Sequence, residues 1–503
     1  MLASVTTRVV IVTMDSHLSS AVTRAERVLQ AEMPGLSIAI HAADEWGSDP
    51  HALAECQADI AQGDIVVATM LFLEDHIRAV VPALAARRDS CDAMVCCMSA
   101  GEVTKLTRLG RFDMSKEASG AIGMLKRLRG KPNGTGGAQG ASSGAGQMRM
   151  LKRLPKMMKF IPGTAQDVRT YFLALQYWLG GSDENMANLV RMLVGRYART
   201  HSLRAPAAPV EYPDTGLYHP RIPGRITTTL AELPRTGLAG TVGLILLRSY
   251  LISGNAGHYD GVIAAMESRG LRVVPVFASG LDARPAIEQY FQAAGVTAVD
   301  AVVNLSGFSL VGGPAYNDSA AAEHILAALD VPYLTAHPVE FQTLDQWERD
   351  PRGLLPVEAT MMVALPELDG GIAPMTFGGR GDGKDMVVHE ERAATLAGRV
   401  LGLVQMRRVA RAQRRVAMVL FNFPPNSGAA GTAAYLGVFA SLHNTLGALA
   451  AAGYDTGEVP ATTDALRDHV LGGNSTQFGT DANVAAVVRT DDIVANEPHL
   501  AQI

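Results

Sequence analysis

Cysteine is scarce in this sequence, and what there is does not pair. Cys56, Cys91, Cys96 and Cys97 are the only four in 503 residues. None forms C-x-x-C, and no histidine pair stands nearby at zinc-ligand spacing, so neither a zinc ribbon nor a dithiol redox site is encoded. Cys96 and Cys97 fall in the apolar run Ala93–Met98 and read as buried free thiols, which fits a reducing cytoplasm. Aromatic residues are also few, at 6%, and charged ones reach 18% with a net charge of −5. That balance gives no general nucleic-acid surface. No basic stretch leads into a long apolar run at the start, so no secretory leader is read. The most apolar long window, Ala429–Gly453, contains His443 and Asn444 and suits a core helix better than a membrane span.

Several catalytic signatures are missing as well: no H-E-x-x-H and no H-x-H occurs. Gly378–Lys384 spells GGRGDGK, but Asp385 follows where Ser or Thr must hold magnesium, and Met386–Val388 does not open a helix. A surface turn is the reading, and ATP hydrolysis by this chain is not expected.

What is present is an alternation. Val242–Leu247, Val273–Ala278 and Ala301–Leu305 are short apolar runs, each followed by Gly, Ser and Asn, with helical spacing between them. That pattern predicts parallel strands joined by crossover helices. The fold class expected is α/β, with several Rossmann-like, doubly wound parallel-sheet modules and a helical connector. Residues 1–129 read as an N-terminal α/β module with strands at Arg8–Thr13, Ser37–Ala42, Asp64–Met70 and Asp92–Met98. Residues 130–149 read as a flexible Gly-rich linker. Residues 150–235 read as the connector, where Ser182 caps a helix reaching Tyr197. Residues 236–390 form a second α/β module, and 391–503 the start of a further one that stops short, with a strand at Val416–Phe421 and a helix from Thr432. The units 242–270 and 416–453 look like one device used twice.

The linker's flanks are basic: Lys126, Arg127, Arg129 and Lys131 precede it, and Arg149, Lys152, Arg153, Lys156 and Lys159 follow. Contact with an anionic ligand or partner is one reading; a solvated loop whose stems cover apolar surface is the other.

Loops after strands open at the carboxyl edge of the sheet, where such folds bind ligands. Three qualify. Ser253–His258 could bring backbone N–H groups to an anion at a helix N-terminus, with His258 held neutral there; the alternative is a polar loop capped by Asn255. Ser306 with Gly312 and Gly313 makes a second loop, and Asn426 lies in a third. Each could equally be a plain turn. His337 with Glu340, and His389 with Glu390 and Glu391, are local pairs of low specificity. No metal-ligating set is read.

Taken together, several segments resemble a known family. They are Met70–His76 (MLFLEDH), Gln176–Ser182 (QYWLGGS), Tyr212–Gly216 (YPDTG), His258-Tyr259, Pro275–Ala278 (PVFA), Gly307–Pro314 (GFSLVGGP), Ala364–Gly370 (ALPELDG), Phe423–Pro425 (FPP) and Gly431–Tyr435 (GTAAY). Collinear over almost the whole chain, they resemble the N-terminal part of the large porphyrin-binding (H-type) subunits of the magnesium chelatase/CobN family, in the form found in photosynthetic bacteria. The resemblance implies ATP-dependent insertion of Mg2+, as substrate ion, into protoporphyrin IX in (bacterio)chlorophyll biosynthesis. It implies ATP hydrolysis by the family's I-type and D-type AAA+ partners, the magnesium chelatase motor components, with Mg-protoporphyrin methyltransferase a further partner. The family's glutamate-bearing G-T-H-G-S stretch does not occur in these residues, so no catalytic residue is carried over. Asn255, His258, Ser306, Gly312, Gly313 and Asn426 are the residues expected to face the porphyrin. The alternatives are a cobaltochelatase large subunit of cobalamin biosynthesis and a non-catalytic tetrapyrrole-binding scaffold.

Overall fold

The computed structural model describes residues 7–116 (without 15 and 48), 154–199, 202–235, 237–313, 316–382, 385–421, 430–497 (without 434 and 481) and 500. The expected linker at 130–149 and Asn426 lie outside the described residues. Two compact units divide at Leu403/Val404.

In the first unit, strands β1 (Thr7–Thr13), β2 (Leu36–Ala42), β3 (Ile65–Thr69), β4 (Ala93–Cys97), β5 (Arg108–Leu109) and β6 (Phe112–Asp113) form one sheet in the order β2-β1-β3-β4-β5-β6. The first four strands are parallel. Strand β1 is covered on both faces, which is why its sequence reads as one apolar run. Val9 and Ile11 pack with helices α1 (Ser19–Glu32), α4 (Thr164–Gly180) and α5 (Asp183–Tyr197). Val10 and Val12 pack on the other side with α2 (Pro50–Gln62) and α3 (Glu74–Arg87). The two helices read as a connector therefore complete the core of the first sheet. Ser182 caps α5 through the Asn185 N–H, as expected. The four cysteines are buried and free, and burial pushes the Cys56 thiol up to about 12.

A second sheet follows: β7 (Thr215–Tyr218), β8 (Ile226–Thr227), β9 (Gly240–Leu247), β10 (Leu271–Ala278), β11 (Ala301–Asn304), β12 (Tyr333–Thr343), β13 (Ile372–Arg380) and β14 (Met386–Val388). Its order is β14-β13-β12-β11-β9-β10-β7-β8. The five inner strands, β10-β9-β11-β12-β13, are parallel. Helices α6 (Gly257–Ser268) and α7 (Ser319–Leu329) are among its crossovers, and α8 (Glu390–Arg408) follows β14.

Two expectations fail here. Gly378–Arg380 is buried strand, and only the residues beyond it turn, where the Gly381 N–H donates to the Asp385 carbonyl at 2.8 Å. The glycines that looked like loop are there for close approach. A Cβ on Gly379 would lie 2.3 Å from a Val339 methyl. Nor does the strand at Val416–Phe421 form. Val416, Val419 and Phe421 are 54%, 95% and 67% exposed, and no strand occurs among the described residues of 404–503 to accept their N–H and C=O groups. The second unit is helical instead, with α9 (Val438–Ala451) and α10 (Thr463–Leu471). The repeated device is thus not 242–270 and 416–453. It is the pair of sheets in the first unit, each of which contains four neighbouring parallel strands that follow the chain in the order 2-1-3-4 (β2-β1-β3-β4 and β10-β9-β11-β12).

Candidate functional site

In the second sheet, β9 sends its chain outward to β10 and then back across to β11, so the strand order reverses between β9 and β11. Ligands of doubly wound folds bind at the carboxyl ends of strands flanking such a reversal. A cavity stands there, lined by Leu247, Ala278, Leu281, Asn304, Ser306 and Phe308.

Its loop is organised by one residue that the sequence pattern did not single out. Asn304 ends β11, almost wholly buried. Its Nδ2 donates to the Phe308 carbonyl at 2.8 Å and the Tyr333 hydroxyl at 3.0 Å. Its Oδ1 accepts from the Ser306 N–H at 3.0 Å and the Ser306 hydroxyl at 2.7 Å. Ser306 Oγ in turn accepts the Phe308 N–H at 3.2 Å. These polar groups of the turn are committed within the protein.

A second such residue, Asp369, holds the next part of the loop. Its Oδ2 accepts from Ser309 Oγ at 2.6 Å and from the Leu310 N–H at 2.7 Å. Burial raises its pKa, against the pull of those two donors. Gly312, at φ +133°, donates its N–H to the Leu281 carbonyl at 2.8 Å. A Cβ on Gly313 would lie 2.3 Å from Leu281 Cδ1. Ser306, Gly312 and Gly313 are therefore brought to one edge, around Leu281. The space left is about 20 Å3, room for about one water molecule and far below the roughly 300–1,000 Å3 of an organic-ligand pocket.

Asn255 and His258 are placed differently from the expectation. The chain itself fills the supposed anion cradle: Asn255 Oδ1 accepts the Met386 N–H at 2.7 Å, and a Cβ on Gly257 would lie 2.8 Å from the Met386 carbonyl. His258 is fully buried, with neither ring nitrogen hydrogen-bonded. It stacks on Phe377 with ring centres 5.8 Å apart, and lies against Tyr259 and Tyr250. Its pKa falls to about 3, from burial and not from the helix dipole. Asn255 thus ties the start of α6 to β14 and His258 packs α6 on β13, and neither presents itself at a surface loop.

The two other histidines singled out from the sequence, His337 and His389, are likewise internally engaged. His337 is buried with Nε2 3.1 Å from Thr376 Oγ1, and burial lowers its pKa to about 4. His389 pairs with Glu348 at 2.9 Å, not with its neighbours Glu390 and Glu391. The Ser253–Asn255 loop also meets the first sheet's module. Arg24 donates to the Ser253 carbonyl at 2.6 Å and to both Asp183 carboxylate oxygens. On β13, Arg380 reaches Asp44 at 3.3 Å and Glu45 at 3.6 Å. Among the described residues no helix is long and apolar enough to cross a membrane.

A family model described as CobN/Magnesium Chelatase matches residues 175–499, and one described as a domain of unknown function (DUF3479) matches residues 8–172. The magnesium-chelatase H-type protein of Cereibacter sphaeroides is 50% identical over 98% of this chain and 43% of its own length. That of Rhodobacter capsulatus is 46% identical over the same shares. An aerobic cobaltochelatase CobN protein from a Sinorhizobium species is 30% identical over 50% of this chain and 20% of its own. Among solved structures, the catalytic subunit of cobaltochelatase from Mycobacterium tuberculosis superposes with a TM-score of 0.51 at 20% identity, covering 92% of this chain and 32% of that one. This last likeness shows a shared fold. The chain spans 43% of the length of both H-type relatives.

Proposed function

The chain belongs to the CobN/magnesium chelatase family, and we propose that it acts as the N-terminal part of the porphyrin-binding subunit of a magnesium chelatase. The observation that carries this reading is the contrast in coverage: two H-type relatives match 98% of the chain, whereas two CobN relatives match 50% and 60%. The reaction would place Mg2+, as substrate, into protoporphyrin IX during (bacterio)chlorophyll biosynthesis. ATP would be hydrolysed by the I-type and D-type AAA+ partners. The methyltransferase that acts on Mg-protoporphyrin is a further proposed partner, and the cytoplasm the proposed compartment.

Chemistry sets what a porphyrin site must contain. Magnesium sheds its water reluctantly, the ring loses two N–H protons, and a flat apolar wall with donors for two propionates is needed. The edge where Ser306, Gly312 and Gly313 close around Leu281 would offer a flat ring that partly exposed leucine as apolar surface. Its single-water cavity supports the idea that this edge is one wall, closed by chain from elsewhere in the complete protein. Asn255 and His258 would act from behind, by fixing α6 against β14 and β13.

Reconstitution of the complete protein with its AAA+ partners and ATP tests this. Magnesium insertion into protoporphyrin IX is expected. Insertion of cobalt alone, into a corrin precursor, would instead establish the cobaltochelatase reading. Quenching of protoporphyrin fluorescence by the 503-residue chain, with no insertion by any assembly containing it, would establish the scaffold.

A further inference from the structure

A cleft of about 770 Å3 opens between α4, α5 and the segment 203–211, well away from the sheet edge. This volume falls within the roughly 300–1,000 Å3 of small-molecule sites. Its outer wall is built, not loose. Pro206 and Pro209 fix φ along it, and two buried asparagines of α5 pin its backbone. Asn188 Oδ1 accepts the Ala207 N–H at 3.0 Å. Asn185 accepts the Val210 N–H at 2.9 Å and donates to the Val210 carbonyl at 3.1 Å. The Tyr177 hydroxyl donates to the Ala207 carbonyl.

The floor is apolar, from Leu173, Met192 and Leu203, and the lining is strongly cationic. Arg191 and Arg204 share Glu32 at 2.6 and 3.2 Å, and Arg196 rests on Asp167 at 2.8 Å. Lys156, Lys159 and Arg169 also line the cleft, without an acidic partner among the described residues. Glu211 is the one acidic lining residue. The segment carrying the two lysines also leaves Phe160 86% exposed.

We propose that this cleft binds a small organic dianion, its apolar body on the Leu173–Met192–Leu203 floor and its acid groups met by Lys156, Lys159 and Arg169. The preformed wall keeps the ordering cost of binding low, and charge-assisted contacts select carboxylate or phosphate groups over neutral ones. The site is independent of the sheet edge and of the reaction proposed above.

The test is a fluorescence titration of naphthalene-2,6-dicarboxylate into the 503-residue chain. Saturable one-to-one binding is expected, weakened about tenfold or more in a Lys156→Ala/Lys159→Ala/Arg169→Ala variant and by added salt. The dimethyl ester should not bind. Because Arg169 also donates to the Pro155 carbonyl, a Lys156→Ala/Lys159→Ala variant serves as a second arm, with about threefold weaker binding and an unchanged melting profile. Equal affinity in both variants, or equal binding of the diester, overturns the proposal. So does failure of the dicarboxylate to saturate while an Asp/Glu-rich hexapeptide binds, which would make the cleft a protein-docking surface.

Discussion

The two hollows of the first unit are opposites. At the sheet edge, the space is that of about one water molecule and the polar groups of the Asn304–Phe308 turn are already bonded to the protein. In the helical cleft the space is some 770 Å3 and half of the cationic lining has no acid to answer it among the described residues. The difference comes from what covers each. Backbone and Gly-Gly close packing shut the first, whereas a proline-stiffened segment held at arm's length by two asparagines keeps the second open. Position in a fold suggests where a ligand could bind, but the fate of polar groups decides whether anything is left to bind it.

The contrast can be broken hardest at the strand beneath the edge. A Cβ on Gly243 would lie 2.4 Å from the Phe291 ring, so Gly243→Leu should cost about 3 kcal/mol, read from the denaturation midpoint. A tolerated substitution would mean that the edge is not tightly packed. Asn304→Ala strips the loop of its organiser and leaves the Ser306 N–H without its acceptor; about 2–3 kcal/mol is expected, with faster amide exchange at Ser306 and Phe308. Asn188→Ala is the matching cut in the cleft. It should cost about 2 kcal/mol and loosen the 203–211 segment while leaving exchange at Ser306 and Phe308 unchanged.

A further measurement uses acid. The folded His258 pKa, about 3, lies below the ordinary value of 6.5. Between those two values the unfolded chain takes up a proton that the native chain does not, so stability falls as the pH drops below 6.5. At pH 5 the loss is about 2 kcal/mol from this residue. His258→Phe, which keeps a ring against Phe377, should flatten that part of the profile in melting experiments between pH 7 and 5. An unaltered slope would mean that His258 is accessible to solvent after all. The smallest effect belongs to the cleft rim. Lys156→Ala/Lys159→Ala should change stability by no more than about 0.5 kcal/mol in a urea titration, since both side chains are exposed and neither has an acidic partner among the described residues; a larger loss would mean that the rim is part of the packed structure.

Much of this architecture was legible in advance, because period and punctuation agreed. Strands β1 to β4 and β9 to β11 each carry a short, largely apolar run, and Gly180-Gly181-Ser182 marks both the end of α4 and the cap of α5. Strand β13 was illegible because Pro374, Gly378 and Gly379 spell loop; only the close approach of Val339 and Val387 explains the two glycines. Val416–Phe421 erred the other way, as local β-pattern without a neighbouring strand. At the site, Ser306, Gly312 and Gly313 could be found from their place after a strand. Asp369 could not, since its partner Ser309 is 60 residues away in sequence. The basic run containing Lys156 and Lys159 was visible, but Arg169, Arg191, Arg196 and Arg204 join it only when α4 packs on α5.

The ion pair of Arg380 has a mechanical meaning. Arg380 is the last residue of β13, and it and Asp44 are only 6% and 4% exposed at their side chains. Separating them would strand a charge out of water, a penalty on the order of 3–5 kcal/mol. Any tug on the end of β13 is therefore handed to the loop after β2 before the pair can yield. The pair thus ties the end of β13 in the second sheet to the loop after β2 in the first.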